Sequence, residues 1–134
     1  MEALEALPIQ SGSDEAKEAV YDILSKIQGV WKFSNAKMSK LLHVHPNTYG
    51  TWMKNKKVPI GTKPYSPEME VVISVIAIFR SLGAMSSSAK NQVLWLETPH
   101  PQIRGKVPLE FAMESIQNIF WLRHFLDYIR GRGA

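Results

Sequence analysis

Cysteine is absent from all 134 residues, which excludes disulfides and cysteine-rich metal sites and fits a reducing, cytoplasmic location. Acidic residues are absent from Ile23 to Pro67, a span that carries eight lysines, whereas Met1 to Asp22 holds six acids and one lysine. Long apolar runs are also missing: the most apolar stretch, Met69 to Phe79, falls far short of the ~20 residues a membrane span needs. The N-terminus has no basic-then-apolar leader, so no secretion signal is expected. No arrangement of nucleophile, base and orienting acid stands out, and the acids sit mostly where helix starts would use them, so an enzyme is not expected. His43 and His45 are two apart with no third ligand nearby in sequence, so neither a metal nor another cofactor is expected.

What remains is helical. The apolar share, 45%, suffices for one ordinary domain or two small lobes around a shared core. Residues 1 to 13, with Pro8 and Gly12, read as a flexible leader. Ser13 or Asp14 then caps a first helix whose buried face is Ala16, Ala19, Val20, Ile23, Leu24 and Ile27, and which Gly29 should end. Ser66 with Pro67 opens another, in which Val71 to Phe79 is apolar nearly all round. Such a helix must be buried on every side, as the spine of the fold or as half of a homodimer interface.

Between them, Ser34 opens a short helix through Met38, Leu41 and Leu42. A turn at His43-Val44-His45 follows, and Pro46 starts a second short helix bearing Tyr49, Trp52 and Met53. This pattern fits a helix-turn-helix. Its second helix would place Asn47, Thr48 and Thr51, with Lys54 or Asn55, toward a major groove, while Lys54, Lys56 and Lys57 neutralise phosphates. The helix lacks arginine, the usual reader of guanine, and Gly50 costs it ~1 kcal/mol relative to alanine. Duplex DNA is thus one candidate partner, and a scaffold that reads DNA poorly is the rival reading.

The last forty residues carry most of the functional signal. Thr98-Pro99 and Pro101 must end the helix Val93 to Leu96. A loop to Pro108 contains His100, Arg104, Gly105 and Lys106, which are candidate partner contacts or solvated rim. Pro108 starts a short helix with Leu109, Phe111, Ala112 and Met113. A final one places Ile119, Leu122, Phe125, Leu126 and Ile129 on one face, then runs into the polar tail Arg130-Gly131-Arg132-Gly133-Ala134. Trp31, Trp52 and Trp95 read as core or half-core. Trp121 falls off the inward face and, beside Arg123, suits an interface anchor.

The run Trp95-Leu96-Glu97-Thr98-Pro99-His100-Pro101, then Gly105, Pro108-Leu109-Glu110, the break at Ser115 and the closing Leu122-x-x-x-Leu126-Asp127-Tyr128-x-Arg130-Gly131-x-x-Ala134 resembles the C-terminal toxin-binding domain of the Xre/MbcA/ParS antitoxin family. The resemblance reaches back over the helix-turn-helix at 34–57 and so covers roughly 20–134. It implies a toxin partner, usually a RES-domain enzyme that destroys NAD, whose active site the antitoxin's C-terminal segment helps to block. Arg130, Arg132, Gly133 and Ala134 then become candidates to enter the toxin pocket. The Arg132-Gly133 ending differs from the family's commoner ones in having no bulky aromatic. The expected organisation is an all-α chain: leader 1–13, helix-turn-helix region 14–65, and central helix with partner-binding region 66–134. Its expected role is that of a type II antitoxin that also represses its own operon. A solitary adaptor that binds another cytoplasmic protein, with a degenerate helix-turn-helix, is the alternative.

Overall fold

A serine oxygen is available just before almost every helix, and the chain uses it. In the computed structural model, which describes residues 12–133 and the side chains through residue 131, Ser13, Ser34, Ser66 and Ser88 each accept a backbone N–H from the first turn of the helix that follows. The order is α1 (Asp14–Trp31), α2 (Asn35–Leu42), α3 (Pro46–Asn55), α4 (Pro67–Met85), α5 (Ala89–Glu97), a 3-10 turn (Pro101–Ile103), α6 (Pro108–Glu114) and α7 (Ile116–Gly133). Pro46, Pro67 and Pro108 occupy first-turn positions, where the missing N–H is not needed. The only extended pairing among the described residues is a single bridge between His100 and Lys106.

α4 is the spine. Every residue from Val71 to Ile78 is buried, and the helix packs against α1, α2 and α5 and most extensively against α7. Ile119, Leu122 and Leu126 of α7 meet it, with 0–1% of their surface left to solvent. Each such aliphatic side chain withdrawn from water contributes ~1.5–3 kcal/mol of transfer free energy. A single cluster of buried side chains joins Val20, Leu24 and Ile27 of α1 to Leu42 and Trp52 of the helix-turn-helix and to Leu96 and Leu109 beyond, so the expected boundary at residue 65 is no gap in the core. No single helix among the described residues is long and apolar enough to cross a membrane.

Three expectations are corrected. α1 does not stop at Gly29 but continues to Trp31, because Gly29 lies on the solvent face, where nothing crowds it, while Trp31 is drawn into the core. The stop is Lys32, left-handed at φ 59°, whose N–H returns to the Gln28 carbonyl. The C-terminal Arg130-Gly131-Arg132-Gly133 stretch is not a departing tail, since α7 runs through Gly133. Phe125 and Ile129 are only half-buried: they sit at the edge of the inward face, where Phe125 still packs against the core cluster. Of the leader, residues 1–11 lie outside the described part, as do Ala134 and the side chain of Arg132.

Candidate functional site

The helix-turn-helix is built by two left-handed stops and one imidazole cap. His43 ends α2 at φ 57°, and its Nε2 donates to the Ala112 carbonyl at 2.9 Å, fixing the turn against α6. His45 caps α3, with its Nδ1 accepting the Asn47 N–H at 3.0 Å. The two imidazoles thus serve separate structural ends, and the described residues contain no cluster of three or more metal-ligating side chains. Tyr49 is fully buried and donates its hydroxyl to Gln28 Oε1 of α1. Burial, with Tyr21 nearby, holds the phenol well above its ordinary range, so it remains a donor.

On the opposite side of α3, Asn47, Thr51, Lys54, Asn55 and Lys56 are exposed, while Thr48 and Lys57 are half-buried. Thr51 donates its hydroxyl to the Asn47 carbonyl at 2.9 Å, which occupies its proton within the helix. Lys57 pairs with Asp14 at 3.3 Å, a surface ion pair worth at most ~1 kcal/mol that a phosphate could displace. All seven residues expected to face nucleic acid therefore share one helix and its C-terminal extension.

The second surface is assembled from the loop, α6 and α7. His100 is the loop's strut. Its ring stacks on Trp95 with centroids 4.7 Å apart, its Nε2 donates to the Trp95 carbonyl at 2.9 Å, and its carbonyl accepts the Gly105 N–H at 2.8 Å. Arg104 and Gly105 take consecutive positive φ values, 61° and 73°, which turn the chain back sharply. Asn118 locks the α6–α7 corner. Its N–H donates to Ser115 Oγ at 3.1 Å, and its Nδ2 donates to the Phe111 carbonyl at 2.8 Å.

That corner presents Phe111 edge-on to Trp121, at 5.5 Å and 78°, and Phe125 stacks on the other side of Trp121 at 5.1 Å and 11°. Trp121 is nonetheless 44% exposed, and Tyr128, one helical stripe further along at 61%, extends the row. Beside it a cavity of about 240 Å³ is lined by Gln102, Ile103, Arg104, Lys106, Phe111 and Trp121. Lys106 also pairs with Glu114 at 3.6 Å.

Three of the residues singled out from sequence, Arg104, Lys106 and Trp121, thus converge on one cavity. Arg123 does not join them. Its side chain is 19% exposed, reaches toward Asp127 one turn on, and lines separate cavities with α4 residues. Arg130 is exposed on α7, while Arg132, Gly133 and Ala134 contribute no described side chains. Phe111, Phe125 and Tyr128 were missed in sequence. The i, i+4, i+7 spacing of Trp121, Phe125 and Tyr128 was the available signal, hidden because Phe125 also fits the inward series.

Fold and site together define a class, an all-helical helix-turn-helix chain with an aromatic, basic-rimmed surface in its C-terminal third. No family model matches the chain, and no curated protein does. Among solved structures it is similar to a chain of the crystal structure of the M. tuberculosis MbcT–MbcA toxin–antitoxin complex. The TM-score is 0.59 at 10% identity, covering 84% of this chain and 94% of that one. The likeness is one of fold.

Proposed function

We propose that this chain is the antitoxin of a type II toxin–antitoxin pair, holding a RES-like, NAD-consuming toxin inactive through residues 95–134 and repressing its own operon through residues 34–57. The observation that carries this reading is the fold shared along most of both chains with a member of a toxin–antitoxin complex. The aromatic row on α7 supports it. Trp121, Phe125 and Tyr128, rimmed by Arg104 and Lys106, have the composition of an interface core, where aromatics and Arg are enriched and supply most of the binding energy. Inhibition is steric and stoichiometric, which needs no catalytic group or cofactor on this chain. Arg130, Arg132 and Gly133 belong to the same helix end, and together with Ala134 they are the part assigned to the toxin's pocket, where an arginine fork would engage acidic or polar groups.

The test is co-expression of the chain with a RES-type enzyme, sought first in the reading frames next to its own gene, with cellular NAD as the readout. The full chain is expected to co-purify with that enzyme and preserve NAD, and a version ending at Ile129 to let NAD fall. A full chain that neither captures the enzyme nor protects NAD would reject the antitoxin reading and leave the adaptor.

A further inference from the structure

The end of α1 and the start of α5 meet at a groove that the proposed toxin surface does not use. It is a cavity of about 360 Å³ lined by Val30, Trp31, Lys32, Ala89, Lys90 and Val93. Val30, Ala89 and Val93 are half-buried and make an apolar floor, whereas Lys32 and Lys90 stand exposed at its rim. Leu94 follows Lys90 by one turn, on the same stripe of α5, and leaves 60% of its surface in solvent.

Buried contacts hold this groove in shape. Trp31, 3% exposed, donates its indole N–H to Gln92 at 3.0 Å and packs on Phe33 and Phe79, each with ring centroids 5.4 Å away. Gln92 donates in turn to the Ser86 carbonyl at 2.8 Å. The two helices are thereby pinned to one another, so an occupant meets a preformed surface and little ordering is needed on binding.

The charge of the groove is of one sign. The ammonium groups of Lys32 and Lys90 have no ion-pair partner among the described residues. From Ile23 to Leu96 the only acids are Glu68 and Glu70, in the first turn of α4, and Glu97 at the end of α5 is paired with Lys37 at 3.2 Å. Two unpaired cations beside an apolar floor match a partner that carries carboxylates beside apolar side chains.

Shape selects among acidic partners. An anionic membrane is met by a projecting apolar face, but here the apolar floor lies between two helices and only Leu94 projects. A helix laid in the groove reaches that floor. The nine residues of α5 extend about 13–14 Å, enough to line two to three turns of such a helix.

We infer that the α1–α5 groove docks an acidic amphipathic helix of a partner protein. Its apolar stripe lies against Val30, Ala89 and Val93, and its carboxylates lie on Lys32 and Lys90. The groove shares no lining residue with the Trp121 cavity, so this inference stands apart from the antitoxin reading.

The test is NMR titration of the full chain with a synthetic helical peptide of about four turns, its leucine stripe flanked by glutamates, beside the same peptide with lysines in place of the glutamates. The glutamate peptide is expected to shift the signals of Val30, Ala89, Val93 and Leu94 and to bind about tenfold more tightly than the lysine peptide, or better. In the full-length Lys32→Glu/Lys90→Glu variant the preference should invert, an outcome that a misfolded chain could not give. Absence of shifts at these residues, equal binding of the two peptides, or an unchanged preference in the variant would overturn the inference. So would phosphatidylglycerol vesicles that shift the same signals more effectively than the glutamate peptide, which would mark a membrane contact.

Discussion

Trp121 and Leu122 are adjacent, yet they answer to different demands. Leu122 is 1% exposed against α4, so Leu122→Ala removes buried methyl groups and leaves a cavity, at an expected cost of ~2–5 kcal/mol in urea unfolding. Trp121 keeps 44% of its surface in solvent and touches mainly Phe111 and Phe125. Trp121→Ala should therefore cost well under half as much stability while weakening toxin capture by ~30-fold or more in calorimetric titration, as loss of a central aromatic anchor does. Equal effects of both substitutions on stability and on capture would remove Trp121 from the proposed interface.

Tyr49 gives a residue-scale prediction of a different kind. Its phenol is raised in the folded chain above the ordinary value of 10.0, so deprotonation is easier once the chain unfolds. The stability it contributes is complete below about pH 10 and falls as pH rises beyond it, by up to ~1.4 kcal/mol per pH unit from this one group. Tyr49→Phe should be less stable than the wild type at pH 7, because Gln28 loses its donor, and its alkaline decline should be shallower. Parallel alkaline slopes in urea titrations of the two proteins would contradict this.

Among the elements, α3 is the one whose role most needs measurement. The replacement Lys54→Ala/Lys56→Ala/Lys57→Ala leaves the buried Tyr49 and Trp52 in place and removes three cations from the end of α3 and the two residues after it. Binding to duplex DNA should weaken, and the slope of log affinity against log salt should become shallower by up to ~2.7, about 0.9 for each phosphate no longer neutralised. A chain with no salt-dependent DNA affinity at all would make the helix-turn-helix a scaffold, as the missing arginine already hints.

The helices themselves were legible because their signals are local. Serine caps, first-turn prolines and the all-round apolar run of α4 sit within a few residues of what they specify. The site was legible only in part. Trp121 stood out by its offset from the inward series, but its convergence with Arg104 and Lys106 depends on Asn118 and the His100 strut folding the loop onto α7. That is a tertiary event with no sequence period. Arg123 was misplaced for the same reason: adjacency in sequence put it beside Trp121, while α7 turns it toward Asp127 and the α4 side.

For the whole molecule the question is whether residues 14–65 and 66–134 are separable. Trp31 of α1 donates its indole N–H to Gln92 of α5 at 3.0 Å, Gln92 donates in turn to the Ser86 carbonyl, and His43 of the helix-turn-helix turn donates to Ala112 of α6. The apolar residues of α1 and α2 face α4, which belongs to the second region. Cutting at residue 65 would take α4, α5 and α6 away from the cluster in which Val20, Leu24 and Leu42 are fully buried. Each such side chain returned to water costs ~1.5–3 kcal/mol, so uncovering even a few would consume much of the ~5–15 kcal/mol that stabilises an ordinary domain. The 14–65 fragment should consequently be unfolded by circular dichroism and bind no DNA specifically, whereas the full chain should unfold in one cooperative transition. A folded fragment that retains DNA affinity would show that the two regions are independent units and that the hydrogen bonds through Gln92 and His43 are incidental to stability.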